Sequence, residues 1–131
     1  MMKLMWCSAH TPTNEQLLEL NAKFPNGDLV YLKDVDANMF NAMSNTPDNS
    51  GDLHELALAV CDFACKHEVD YLVQPGGSPA FQVALGVTKT NYATAPDLMY
   101  AHSERVSIDK HEEDGSVTKT SVFKHQKFIV M

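Results

Sequence analysis

The stretch Asp70-Tyr71-Leu72-Val73-Gln74-Pro75-Gly76-Gly77-Ser78-Pro79-Ala80-Phe81 joins a short apolar run to two glycines and then to helix-opening residues. It reads as strand, turn and helix. Glycine has no Cβ, so Gly76 and Gly77 allow positive φ and let a ligand approach their amides closely. Ser78 suits an N-cap and Pro79 the first helical position, so the helix amides would point back at the turn, where anions bind well.

On either side of this stretch the pattern repeats. Lys3 to Ser8 is apolar throughout and predicts a buried strand of a covered parallel sheet, ending in Ser8-Ala9-His10. Thr13-Asn14-Glu15-Gln16 is a capping-box pattern, followed by Leu17, Leu20 and Phe24 at helical spacing, with Pro25 and Gly27 as the stop. Leu29 to Leu32 is the second expected strand. Lys33 to Gly51 is rich in turn formers, with Met39, Phe40 and Met43 as one apolar helical turn. Asp52, with Glu55 three residues on, is expected to open a long helix whose apolar stripe is Leu53, Leu56, Ala57, Val60, Cys61 and Ala64.

Beyond the glycine turn, Phe81, Ala84 and Leu85 predict a short helix ended by Gly86. Leu98 to Ala101, introduced by Pro96-Asp97, is the fourth strand. From Arg105 to Ile129 polar and apolar residues alternate around Glu113-Asp114-Gly115-Ser116, and Asp-Gly between such runs signals a hairpin with a type I′ turn. The order β-α-β-α-β-α-β plus hairpin predicts one α/β domain over residues 1–131, a Rossmann-like, mostly parallel sheet flanked by helices.

Composition narrows the function classes. The 131 residues carry 44% hydrophobic and 21% charged side chains, as a soluble domain does. The run Leu4 to Cys7 is far shorter than a membrane span, so no membrane partner and a cytoplasmic location are expected. A net charge of −7 argues against long nucleic acid as a ligand. The charge is uneven: residues 1–65 hold three Lys and nine acids, −6, and residues 66–131 hold seven Lys or Arg and eight acids, −1. Val117 onward has three lysines and no acid, so a polyanion site belongs to the C-terminal part. Cys7, Cys61 and Cys65 read as buried thiols; Cys61 and Cys65 share a helical face, but no partner pattern supports metal. No metal and no cofactor is expected.

The glycine turn is neither Gly-x-Gly-x-x-Gly nor a Walker loop. Its position says more, because ligands of open α/β sheets bind beyond the carboxyl ends of the strands, where Ser8-Ala9-His10 and the residues after Tyr100 also belong. A two-residue Asp114-Gly115 turn would set Arg105 opposite Lys124 and Glu104 opposite His125, and like charges in that position are unfavourable unless a bulge shifts them or an anion lies between. Lys119, Ser121, Phe123 and His125 would then share one face of the last strand. A solvated edge whose lysines deter strand pairing is the plainer explanation of those charges. Of six histidines, His10 is best placed to meet a ligand and His125 next. His54, His67 and His111 read as solvated, and His102 is left open.

Several of these segments are similar to motifs of the small CRISPR-associated ring nucleases of type III systems, relatives of the CRISPR-associated Rossmann fold (CARF) domains. Tyr100-Ala101-His102-Ser103-Glu104-Arg105 resembles the family's Tyr-Ala-Thr-Thr-x-Arg segment. Glu113-Asp114-Gly115-Ser116-Val117 and Ser121-Val122-Phe123-Lys124-His125 resemble its closing segments. Ser8-Ala9-His10-Thr11 with Glu15-Gln16 is similar to its opening, and Asp70 to Gln74 to its third-strand motif. Pro75 intervenes where the family has Gln-Gly, Ser78-Pro79-Ala80 replaces its Gly-Ala-Thr helix start, and His102-Ser103 replaces a Thr pair. The resemblance implies a CARF-like fold and a homodimer that binds and cleaves cyclic oligoadenylate, of three or four adenylates, without metal. Taken with the reading of the residues above, it leads to expected catalytic roles for His10, Arg105, Lys124 and His125, and ligand contacts for Ser8, Gln74, Gly76, Gly77, Ser78, Ser103 and Ser121. A non-catalytic module that senses or sequesters the same messenger is the alternative.

Overall fold

A computed structural model describes residues 2–131. Five strands form one sheet in the order β2-β1-β3-β4-β5: β1 Lys3–Trp6, β2 Asp28–Tyr31, β3 Tyr71–Val73, β4 Asp97–His111 and β5 Val117–Val130. The first four run parallel, and β5 returns antiparallel along β4. The helices are α1 Asn14–Lys23, α2 Leu32–Val35, α3 Ala37–Ser44, α4 Ser50–Lys66 and α5 Pro79–Lys89. The expected α/β class, parallel sheet and C-terminal hairpin are all present.

Alternation along the short strands splits the core into two layers. Met5, Leu72 and Leu98 point to the face covered by α3, α4 and α5, against Met43, Ala57, Val60, Phe81 and Leu85. Leu4, Trp6, Val73, Met99 and Phe128 point to the other face, which α1 covers with Leu20 and Phe24. Strands buried on both faces must be apolar at every position, which is why these runs show no polar alternation. Each large side chain so buried contributes ~1.5–3 kcal/mol.

Helix starts follow side-chain chemistry. Thr13 and Gln16 form the expected box, with the Gln16 amide donating to Thr13 Oγ1 (3.2 Å) and the Thr13 amide to Gln16 Oε1 (2.9 Å). The long helix begins earlier than Asp52: Asn49 is its cap, its Oδ1 accepting the Asp52 amide at 2.9 Å. Leu32, expected at the end of a strand, instead begins α2, and residues 33–51 fold into α2, α3 and the start of α4. Gly86 does not stop α5, because the helix keeps right-handed φ there and continues to Lys89 so that Thr88 reaches the core.

The hairpin departs from its expected register. Only Gly115 has positive φ in the turn (+88°), whereas a type I′ turn needs it at Asp114 too. Asp114 Oδ1 accepts the Ser116 amide at 2.9 Å, and the Gly115 amide donates to the Glu112 carbonyl at 3.1 Å. This is a three-residue loop with a glycine bulge. Pairing shifts by one, so Glu104 faces Lys124, Arg105 faces Phe123 and Ser103 faces His125. The like-charge pair disappears. A second irregularity between His102 and Ser103 leaves Gln126 as the extra residue on β5, bringing His125 and Phe128 to the same face.

Candidate functional site

Strand order reverses between β1 and β3, since β2 lies on one side of β1 and the later strands on the other. That switch point is where open α/β sheets hold ligands, because the flanking loops diverge and leave a crevice. Two expected segments flank it. Ser8–His10 follows β1, and Gln74–Ser78 follows β3 in the neighbouring position, Trp6 being paired with Val73.

Backbone contacts hold the Gln74–Ser78 turn. Gln74 takes φ +55°, unusual outside glycine, with its amide on the Met99 carbonyl at 2.7 Å and its Oε1 accepting the Ala101 amide at 2.9 Å. Gln74 thereby ties the turn to β4 where β3 has ended. Pro75 is fully buried. Gly77, at φ +99°, is boxed in: a Cβ there would lie 2.6 Å from Thr46 Cγ2 and 2.9 Å from the Met43 carbonyl oxygen. Gly76 does not take positive φ, and a Cβ on it would make only an ordinary contact at 3.9 Å. Ser78 Oγ accepts the Phe81 amide at 3.2 Å and caps α5. Among the described residues no protein acceptor takes the amides of Gly76, Gly77 or Ser78, so they remain free to donate.

Across the switch point, Ser8 Oγ accepts the His10 amide at 3.2 Å and the Trp6 indole donates to the His10 carbonyl at 2.7 Å. The His10 backbone is fixed and its side chain is exposed. The hairpin extends from the same carboxyl end of the parallel strands. The Arg105 guanidinium lies 5.3 Å from the centroid of the Phe123 ring, which is 73% exposed. His125 is different: its side chain is only 7% exposed and its Nε2 lies 2.7 Å from Glu19 Oε1. A carboxylate has no proton to give, so Nε2 donates, and Nδ1 is buried without a partner.

Glu19, on α1, is the residue that sequence reading missed. Its carboxylate also accepts the Phe128 amide, at 3.1 and 2.8 Å, and pairs with Lys23 at 3.3 Å. Burial pushes its pKa up, but bonds from the Phe128 amide, His125 and Lys23 together outweigh that and leave it lowered. Apart from Lys23, its partners lie more than a hundred residues away, and no local pattern marks it.

The candidates therefore fall into two groups. Ser8, His10, Gln74, Gly76, Gly77 and Ser78 surround the switch point. Lys124 and His125 line a separate groove of about 500 Å³ between the hairpin and Thr13–Glu15, which none of the first group enters. Arg105 is two residues beyond Ser103 on β4 and exposed. Ser121 faces Ser107, six residues beyond Ala101 along β4 and so ~20 Å further out at ~3.4 Å per residue. Of the remaining histidines, His54, His102 and His111 are exposed, but His67 is half-buried with its ring centroid 4.3 Å from that of Phe63.

The thiols are buried or tied to neighbours. Burial pushes the Cys7 thiol up to about 12 and that of Cys61 to about 11. Cys65 lies 3.7 Å from the Thr94 carbonyl. Among the described residues no three His, Cys, Asp or Glu side chains converge as a metal site, and no helix is long and apolar enough to cross a membrane.

Residues 2–129 match a family model described as the Uncharacterized protein MJ1673 family. The chain belongs to that family. No curated protein and no solved structure matches the chain. The match spans every strand and helix above except the last residue of β5, Val130, so both residue groups lie inside the family's segment.

Proposed function

We propose that the protein is a ring nuclease, acting in the cytoplasm to bind cyclic oligoadenylate and cleave it to linear products, so ending type III CRISPR signalling. The observation that carries this reading is the position, on either side of the sheet's switch point, of Ser8–His10, which is similar to the ring-nuclease opening, and of the turn that follows the similar Asp70–Gln74 segment. The free amides of Gly76, Gly77 and Ser78 suit a phosphate oxygen. Arg105 supplies charge from the hairpin, and one copy presents only part of a closed binding surface. Two copies would enclose the ring, as a homodimer.

The chemistry is an internal displacement. A ribose 2′-oxygen attacks the adjacent phosphorus, the bond to the 5′-oxygen breaks, and the products carry a 2′,3′-cyclic phosphate and a 5′-hydroxyl. The 2′-hydroxyl proton passes to a base and the leaving oxygen takes one up. In-line positioning lowers most of the barrier, amides and cations stabilise the phosphorane charge, and His10 is the exposed imidazole that can move a proton.

A specific observation favours the second reading, a non-catalytic module that senses or sequesters the messenger. His125 has Nε2 committed to Glu19 and Nδ1 buried, which gives it a positioning role rather than a reacting one. Incubation with cyclic tri-, tetra- and hexa-adenylate in EDTA separates the readings. Multiple turnover supports the nuclease, stoichiometric retention of intact ring supports the binding module, and the absence of both turnover and retention overturns the two readings together.

A further inference from the structure

The groove between the hairpin and the start of α1 takes no part in the proposed cleavage, yet it has a floor, a wall and a polar rim. His125 is the floor. Its side chain is only 7% exposed, its Nε2 is turned to Glu19 at 2.7 Å, and its Nδ1 is the only buried side-chain nitrogen or oxygen without a hydrogen-bond partner among the described residues. In a neutral ring that donates from Nε2, Nδ1 carries a lone pair. A buried acceptor left unmet is unfavourable, and a donor brought in by a ligand removes that cost.

The wall is apolar. Val106, Ile108 and Val122 line it together with the Phe123 ring, which is 73% exposed, and such a surface takes a flat ring. The rim is the N-terminus of α1, a helix of 10 residues. The capping box uses the amides of Thr13 and Gln16, whereas among the described residues no protein acceptor takes those of Asn14 and Glu15. Free first-turn amides and the positive end of the helix dipole favour an anion there. Lys124 lines the same groove, and Glu15 is its only acid.

Distance selects among ligands. Glu19, which holds His125, is ~6–7.5 Å along α1 from Glu15 and Asn14, at a rise of ~1.5 Å per residue. Inorganic phosphate or a free amino acid is too short to meet both the floor and the rim. A base, its sugar and a 5′-phosphate are long enough, and an amino group on the base supplies the donor. The groove's volume of about 500 Å³ is that of a small-molecule site.

We infer that this groove is a second binding site, separate from the switch point, for a mononucleotide whose base carries an amino group, such as adenosine 5′-monophosphate. The amino group donates to His125 Nδ1, the base lies along Phe123, and the phosphate meets the Asn14 and Glu15 amides and Lys124. The site stands whether or not the switch point binds a cyclic ligand.

Isothermal titration calorimetry of the full chain tests this with adenosine 5′-monophosphate, adenosine, and purine riboside 5′-phosphate, which lacks the amino group. The first is expected to bind saturably and the other two at least ~tenfold more weakly. His125→Gln keeps a donor within reach of Glu19 but has no acceptor at the Nδ1 position, and is expected to weaken binding of adenosine 5′-monophosphate by ~tenfold. Glu15→Gln removes the acid beside the phosphate and is expected to tighten it at low salt. Because His125→Gln can disturb the base of the hairpin, the ¹⁵N resonance of His125 Nδ1 in the wild type reads the same contact without a substitution. It is expected to move with adenosine 5′-monophosphate and to stay in place with purine riboside 5′-phosphate. No binding of adenosine 5′-monophosphate overturns the inference, as do equal affinities for the three ligands or an Nδ1 resonance that stays fixed in the saturated complex. A loss of affinity in His10→Ala with none in His125→Gln would put the nucleotide at the switch point and overturn it too. Turnover or retention of a cyclic oligoadenylate is a separate readout, so either reading can fail while the other stands.

Discussion

At the scale of single residues, the two neighbouring glycines separate cleanly. Gly77 has φ +99° and no room for a Cβ beside Thr46 and the Met43 carbonyl. Gly77→Ala is expected to destabilise by ~2 kcal/mol or more, from backbone strain plus crowding. Gly76→Ala is expected to stay within ~1 kcal/mol of wild type, since φ there is ordinary and the nearest atom is 3.9 Å away. Urea unfolding midpoints decide it, and equal losses at both sites would mean the turn is held in some other way. A ligand contact at Gly76 would appear instead as weaker nucleotide binding at unchanged stability.

Glu19 is the other residue whose effect can be read out. Removing its charge by Glu19→Gln weakens three contacts, including the one that satisfies the Phe128 amide at the bulge, and is expected to cost ~1–3 kcal/mol. Its folded pKa is lowered, so its contribution is fully present above the unfolded carboxylate pKa. It is lost as pH falls through that value and the lower folded one. Stability measured between neutral and acid pH should fall less steeply in Glu19→Gln than in wild type. Parallel curves would place the acid sensitivity elsewhere.

At the scale of elements, caps and turns show where local reading works and where it slips. The Thr13 box was legible because both of its bonds are made within four residues. The long helix was legible from its stripe, but its start was not. Asn49 lies outside the apolar period and competes with Asp52, and a cap is settled by which side chain the entering backbone can reach. Asn49→Ala is therefore expected to cost ~1 kcal/mol in thermal or urea unfolding. The hairpin slipped for a related reason. Asp-Gly is compatible with two turn types, and the Asp114 bond to the Ser116 amide favours the longer loop. One residue of difference moves Lys124 from facing Arg105 to facing Glu104.

At the scale of the whole molecule, β4 and β5 continue far beyond the other strands. β3 pairs only as far as Met99, so from His102 to His111 the strand β4 is paired with β5 alone, and Glu19 on α1 holds only the base of the ribbon at His125. A two-stranded ribbon has little independent stability. In native-state hydrogen exchange the amides of Val106–Lys110 and Thr118–Val122 should open with a small fraction of the global free energy, while those of Leu72 and Met99 track global unfolding. Full protection of the ribbon in the free protein would require that something covers it. A decrease in its exchange on adding cyclic oligoadenylate is the outcome expected if the hairpin forms a wall of the site.

The sequence by itself determined the class of fold and the order of its elements, because apolar runs, helical stripes and capping residues act over a few neighbours. It also pointed to the glycine turn and to Ser8–His10, since residues at strand ends are marked by the strands they end. Only the tertiary structure decided that these two segments flank the switch point, which depends on strand order rather than on any local pattern. It alone drew His125 under Glu19 and left Val83 and Val87 of α5 exposed. Those outcomes depend on pairs separated by more than a hundred residues, and on which surfaces remain once every nearer one has been buried.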